Sequence, residues 1–285
     1  METLKIAIQT KGRLNEESLK LISETGIKLT IGKRKLISAA KNFPLEVLFL
    51  RDDDIPQTVE DNVADIGIVG ENEMLEKQAD VVIAKRLGFS KCRLSLAIPK
   101  SLEYNGLDFF DGKKIATSYP VILKKFLDKN GINTEIHVIT GSVEIAPGIG
   151  LADAIFDIVS SGSTLVSNRL KEVETVIKSE AVLIANPNLS EQKKAILDEF
   201  IFRMESVQRA ANKKYILMNA PNEKLGEISA ILPGMKSPSV IPLATEGWSS
   251  LHSVIEENDF WEVIGKLKKA GAEGILVIPI EKMIF

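Results

Sequence analysis

A single cysteine, Cys92, stands in this sequence, so no internal disulfide can form and the thiol usage suits a reducing compartment. Histidines number two, His137 and His252, and no Cys/His cluster has the spacing of a zinc site. Neither histidine has a serine or cysteine partner at informative spacing, so both read as structural, and Cys92 reads as packed near an apolar strand. Charge of one sign is missing as well. Thirty-six Lys and Arg face 39 Asp and Glu, and the net charge of −3 excludes a broad cationic surface for nucleic acid, leaving room for a local basic pocket. No apolar run approaches the roughly 18–20 residues that cross a bilayer. The opening METLKIAIQTKGRL lacks the apolar core of a signal peptide. A cytoplasmic protein without membrane or nucleic-acid partner is the expectation. There is no short-period repeat and no low-complexity tract.

What is present is a chain of 285 residues, 45% hydrophobic and 26% charged, too long for one core of usual size. Strand-like and helix-like stretches alternate through the first ninety residues: a strand at 4–9, a helix at 14–26 stopped by Gly26, and a strand at 45–51. A short helix follows, capped by Asp54 with Pro56 in its first turn, then strands at 64–70 and 80–88 with a helix between them. This order predicts an α/β sheet with much parallel pairing. A strand at 92–100 leads into a second lobe with strands at 113–120, 134–140 and 154–159 and helices at 121–131 and 143–150. The stretch 180–189 returns the chain to the first lobe, and a long amphipathic helix covers about 190–212. The last seventy residues read βαββαβ, the ferredoxin-like order, which names no function by itself.

The stretch LADAIFDIVSSGSTL (151–165) carries the most chemistry. A strand ends at Val159, and Ser160-Ser161-Gly162-Ser163-Thr164 leads into a helix. Such a loop can turn several N–H groups and hydroxyls toward one point at a helix start, which suits a phosphate. Gly162 admits a positive φ and a close approach by the anion. Asp153 and Asp157 lie just upstream, in reach of sugar hydroxyls if the phosphate belongs to a ribose. An ordinary capped Ser/Gly turn explains the same residues equally well.

The element D-x-V-S-S-G-x-T-L resembles the phosphoribosyl pyrophosphate loop of the ATP phosphoribosyltransferases, the first enzymes of histidine biosynthesis. GSVEIAPGIGLADAI (141–155) resembles the segment before that loop, and KGRL (11–14), LRDDDIP (50–56), DIGIVGEN (65–72), CRLSLAIP (92–99) and KKIATSYP (113–120) match in collinear order. In the tail, LPGMKSPSV (232–240), WSSLH (248–252) and GILVIPIEKM (274–283) are similar to the regulatory domain of the long form.

The resemblance implies a bilobal α/β core like that of periplasmic binding proteins, with a C-terminal ferredoxin-like regulatory domain. Residues 1–92 with 181–212 would form lobe I, 93–180 lobe II, and 213–285 the histidine-binding domain. The implied reaction is pentosyl transfer: adenine N1 of ATP attacks C1 of phosphoribosyl pyrophosphate, and pyrophosphate leaves with Mg²⁺. Ser160, Ser161, Gly162, Ser163 and Thr164 would hold the 5-phosphate, with Asp153 and Asp157 on the ribose or adenine. Lys11 and Arg13, in the loop after the first strand, would draw in polyanions and neutralise the leaving group. Arg51, Glu71, Tyr119 and Pro120 are the ATP-side candidates, and Asn72 is given little weight. Met235, Ser237, Ser239 and Ala272 are candidates for feedback inhibition by histidine. The metal ligands are unassigned. A homo-oligomer, dimer or hexamer, without a separate regulatory subunit is implied.

Simpler readings stay beside these. The basic run Lys33-Arg34-Lys35 suits a solvated face, Asp52-Asp53-Asp54 a capping turn, and Tyr119-Pro120 core packing. At the level of the whole chain, the alternatives are a bilobal small-molecule-binding protein with a ligand-sensing tail and the effector part of a transcription regulator. No helix-turn-helix precedes the α/β region to favour the second.

Overall fold

The computed structural model describes residues 2–30, 36–232 and 234–284, so the run 33–35 lies outside the described residues. Two compact units divide the chain: Met1–Ser23 with Ile27–Leu197, and Glu24–Gly26 with Asp198–Phe285.

The first unit opens on β1 (Leu4–Gln9), α1 (Arg13–Glu24), β2 (Ile37–Ala39), β3 (Leu45–Leu50), α2 (Ile55–Glu60), β4 (Ile66–Gly70), α3 (Glu71–Lys77) and β5 (Val82–Arg86). It crosses to β6 (Cys92–Pro99), β7 (Lys114–Thr117), α4 (Pro120–Asn130), β8 (Glu135–Val138), β9 (Ala154–Val159), α5 (Ser163–Ser167) and β10 (Leu170–Ser179). It then returns to β11 (Ala181–Ala185), and α6 (Glu191–Ala210) carries the chain into the second unit. Two sheets result, ordered β2-β3-β1-β4-β11-β5 and β10-β6-β9-β7-β8. β1 pairs in parallel with β3 and β4, while β11 lies antiparallel between β4 and β5. In the second sheet β7 is parallel to β8 and β9, and β6 is antiparallel to β9 and β10. The expected parallel pairing thus holds around β1 and β7, while β2, β5, β6, β10 and β11 pair antiparallel.

Burial explains the strands. Leu4, Ile6, Ala7 and Ile8 of β1 are all inaccessible, as a strand covered on both faces requires. At Gly67 of β4 a Cβ would stand 2.6 Å from Ile55 Cγ2, so glycine lets α2 lie against the sheet. In the second sheet Leu94, Leu96, Ile98, Ile115 and Phe156 pack with Phe110, Leu123 and Leu127. Full burial of each such side chain stabilises by about 1.5–3 kcal/mol.

Several local expectations change. The helix expected at 143–150 is only a 3-10 turn, Val143–Ile145. Pro147 follows the turn and Gly150 takes a positive φ, and although Val143 and Ala146 are buried, Ile145 and Ile149 are exposed, so the apolar face is too short to reward a longer helix. Asp54 does not cap α2 with its side chain. It closes a 3-10 turn, Asp52–Asp54, in helical conformation, and its carbonyl accepts from Thr58 Oγ1 at 2.7 Å. The strand expected to reach Pro120 stops at Thr117, and Pro120 instead opens α4, where its missing N–H costs nothing. β2 and β10 are additional to the expected strands.

The second unit contains β12 (Lys213–Pro221), α7 (Leu225–Ile231), β13 (Ser239–Pro242), β14 (Trp248–Glu256), α8 (Phe260–Lys269) and β15 (Glu273–Pro279). Its sheet order, β13-β14-β12-β15, is antiparallel throughout and gives the expected ferredoxin-like arrangement. Ile228, Leu232, Leu267 and Ala270 pack on Ile216, Met218, Ala220 and Leu251.

Candidate active site

β9 delivers the chain to the Ser/Gly turn. Gly162 adopts φ 80° and ψ 0°, the left-handed region, and caps the start of α5. A Cβ there would meet nothing nearer than Val159 Cγ1 at 3.9 Å, so the conformation, not crowding, demands glycine. Ser161 Oγ lies 3.0 Å from Ser163 Oγ and accepts a long bond, 3.4 Å, from the Ser163 N–H. The turn borders a cavity of about 300 Å³ lined by Ser160, Ser161, Gly162, Thr164, Asp157 and Glu144 among others. Three hydroxyl-bearing residues, Ser160, Ser161 and Thr164, and Gly162 therefore border a space large enough for a phosphate group.

Asp157 is one of the two acids of that cavity, with Glu144. Burial, with Glu144 adding repulsion against a backbone N–H bond from Ile158, pushes its carboxyl up to about 6. Asp153 is elsewhere. Its Oδ2 accepts from the Lys114 N–H at 2.9 Å and its own N–H donates to Lys114 O at 2.8 Å, fastening the start of β9 to β7. It lies four positions from Asp157, about 13 Å along an extended chain. The structure does not bring Asp153 to the turn, because an extended chain carries equal faces apart as fast as it alternates them.

Ser160 also lines a second cavity, about 540 Å³, with Arg86, Lys91, Cys92, Arg93, Lys178, Ser179, Glu71 and Glu180. Four cations meet two carboxylates there. Glu71 is held by Arg86 in a two-armed pair at 2.6 and 2.7 Å, which leaves it engaged within the protein rather than free for adenine. Lys91 and Lys178 are exposed at the rim. Burial raises the Cys92 thiol, which disfavours the thiolate and a nucleophilic role.

Asn72, which the sequence reading set aside, joins the two sheets of the first unit. Its N–H donates to Ser179 Oγ at 3.1 Å, Ser179 Oγ donates back to Asn72 Oδ1 at 2.8 Å, and its Nδ2 reaches Glu73 Oε1 and Tyr119 Oη. Tyr119 is 7% exposed, so its ring packs in the core rather than offering a face to adenine. Its phenol is pushed up, by burial first and then by Glu73. Glu73 is likewise raised, by burial above all, against the hydrogen bond from Tyr119. Glu76 of α3 accepts from the Val121 and Ile122 N–H groups at 2.9 and 3.0 Å, capping α4 across the lobes. A carboxylate-rich helix following a buried strand was the available signal for Glu73 and Glu76.

The other expected residues are not among those lining either cavity. Lys11 is exposed beside Gly12 (φ 95°), and Arg13, the first residue of α1, pairs with Glu17 at 3.4 Å. Arg51 pairs with Asp53 at 3.2 Å. Pro120 borders a separate groove with Val121, Lys124 and Val138. In the second unit Met235, Ser237 and Ser239 are exposed, and Ala272 packs in the core. His252 holds Tyr215 Oη at 2.7 Å and Ser250 Oγ at 3.0 Å, a satisfied surface histidine. Among the described residues, no group of three or more His, Cys, Asp or Glu is placed to hold a metal ion, and no helix is long and apolar enough to cross a membrane.

Two sheets sharing one cleft-lining turn, with cations on one side of it and a phosphate-sized space on the other, define a bilobal α/β protein for a polyanionic ligand. The family model for ATP phosphoribosyltransferase matches residues 51–206, and that of the HisG C-terminal domain matches residues 210–282. An ATP phosphoribosyltransferase of Bacteroides thetaiotaomicron is 69% identical over 281 residues, 99% of each chain. An ATP phosphoribosyl transferase (HisG:HisZ) complex from Thermotoga maritima superposes with TM-score 0.62 at 28% identity, over 71% of this chain and 99% of that one. A periplasmic sulfonate-binding protein of Methylobacillus flagellatus, at 16% identity and TM-score 0.50 over 74% of this chain and 69% of that one, shares the fold alone. The chain belongs to the ATP phosphoribosyltransferase family, in its long form, and is a phosphoribosyltransferase.

Proposed function

We propose that the turn at 160–164 holds the 5-phosphate of phosphoribosyl pyrophosphate while adenine N1 of ATP attacks C1, releasing pyrophosphate in the first step of histidine biosynthesis. The observation that carries this reading is Ser160, which lines both the phosphate-sized cavity and the cation-lined one. One ligand with phosphates at both ends of a ribose suits that pair of spaces. Asp157, beside the turn, is the side chain placed for the ribose hydroxyls. Its raised pKa lets it accept or share a proton near neutral pH.

The reaction needs no covalent enzyme intermediate. Positioning two substrates and balancing charge on the departing pyrophosphate supply the catalysis. Lys91 and Lys178, at the rim of the larger cavity, are better placed for that charge than Lys11 and Arg13. Mg²⁺ is read as the counterion that pyrophosphate brings with it, since the described residues offer no resident donor set. The second unit is read as the histidine sensor, and assembly into a homo-oligomer without a separate regulatory subunit belongs to the same proposal.

The test is absorbance change on mixing the protein with ATP, phosphoribosyl pyrophosphate and Mg²⁺, with and without histidine, in wild type and Gly162→Val. The variant should raise KM for phosphoribosyl pyrophosphate steeply, because valine resists φ near 80°. A normal KM in a folded variant would refute the phosphate assignment. Full activity that ignores histidine would refute the sensor reading.

A further inference from the structure

Behind the turn stands a strut whose acidic half, Glu172, none of the chemistry above uses. Arg93 of β6 is the cross-strand partner of Val159, the last residue of β9. Its Nε and Nη2 both reach the Glu172 carboxylate, each at 2.5 Å, and its Nη1 donates to the carbonyl of Ser160 at 3.1 Å. Glu172 is fixed in turn, since its Oε1 also accepts from Ser95 Oγ at 2.7 Å and Thr175 Oγ1 at 3.2 Å. It sits on β10 opposite Ala97, where the β6–β10 register shifts.

A guanidinium is planar, so a carboxylate gripping one edge also sets the direction of the remaining N–H groups. A trans peptide is planar too, with its C=O and N–H pointing opposite ways. Drawing the Ser160 carbonyl toward Arg93 therefore turns the Ser161 N–H away from Arg93. The cavities agree with this geometry: Arg93 lines the larger one, and Ser161 lines the phosphate-sized one. We propose that Glu172 and Arg93 are positioning residues that aim the Ser161 N–H at the 5-phosphate of the donor. The inference rests on the reading of 160–164 as the phosphate turn. Glu172 is held at about 2, chiefly by Arg93, so the strut stays charged through the neutral range.

The experiment compares Glu172→Gln, Arg93→Lys and the double variant in steady-state kinetics, with Gly162→Val as the control for the turn. Glutamine replaces one accepting arm by a donor, and a lysine ammonium cannot serve Glu172 and Ser160 as a fork does. Glu172→Gln should raise KM for phosphoribosyl pyrophosphate by about tenfold, with kcat and KM for ATP within about twofold, and Arg93→Lys should raise that KM by the same factor. The double variant should rise no further, because all three break one linkage. Binding of phosphoribosyl pyrophosphate without ATP, measured by calorimetry, should weaken by the same factor. Unchanged constants in Glu172→Gln beside a raised KM in Gly162→Val would overturn the strut alone. Unchanged constants in both would remove the phosphate turn and the strut with it. Additive effects, or equal losses for both substrates with a lowered melting temperature, would mark Glu172 and Arg93 as ordinary sheet residues and also overturn the proposal.

Discussion

The phenol of Tyr119 donates to Glu73 Oε1 at 2.7 Å, and this bond joins the helix after β4 in one lobe to the turn after β7 in the other. Asn72 Nδ2 reaches the same pair, so three polar groups from two lobes satisfy one another out of water. Tyr119→Phe removes the donor and leaves the half-buried Glu73 carboxylate with Asn72 Nδ2 as its remaining partner here. The expected loss is about 1–3 kcal/mol of unfolding free energy, read from urea midpoints at constant slope.

Asp157 carries a pH dependence of definite sign. Its folded value, about 6, stands above the ordinary 3.8, so ionising it costs the folded state. That cost is fully present above pH 6 and is relieved as pH falls toward 3.8, making the wild type gain stability on mild acidification from this group. Asp157→Asn should abolish that slope, worth on the order of 3 kcal/mol across its whole range, and should be relatively more stable at pH 8. Thermal melts at pH 5 and pH 8 check it, and turnover should fall at every pH.

Glu76 caps α4 from outside its own helix. Glu76→Ala should cost about 1–2 kcal/mol by freeing the Val121 and Ile122 N–H groups. Glu76→Gln, which keeps an acceptor but no charge, should cost less. Urea denaturation of the two variants side by side is the measurement.

Asp153 separates structural from substrate roles along one strand. Asp153→Ala breaks the bond to the Lys114 N–H and should lower the melting temperature. The same variant should leave KM for phosphoribosyl pyrophosphate unchanged. A steep rise in that KM would return Asp153 to the ligand.

Periodicity was a good guide where burial is one-sided or total. β1, β4 and the βαββαβ tail were legible because their apolar residues answer to a core on known faces. β10 was not, since LKEVETVIKS is half-buried at a sheet edge and its charges break the apolar alternation that marks a strand. The Ser/Gly turn was visible in the order of small residues, because Gly162 had to be glycine for its φ. The Glu172–Arg93 fork and the Asn72–Ser179 pair were invisible for another reason: 79 and 107 residues separate the partners, and nothing local marks either. Asp153 shows the opposite error. Nearness in sequence suggested one site, and an extended strand placed its two carboxylates at opposite ends.

The position of β11 has a consequence for how the chain is made. It fills the gap between β4 and β5, strands that precede it by about a hundred residues of synthesis. Its entry and the departure of β5 lie side by side, with the Leu87 N–H bonded to Ala181 O at 2.9 Å. Everything from β6 to β10 is thus an excursion made in between, and it can fold against itself while the ribosome still holds the rest. The first sheet waits meanwhile with β4 unpaired on one side, an open edge that only the closing stretch 181–185 can seal. Slow closure and vulnerability to self-association should therefore belong to this lobe, although it is the one that emerges first.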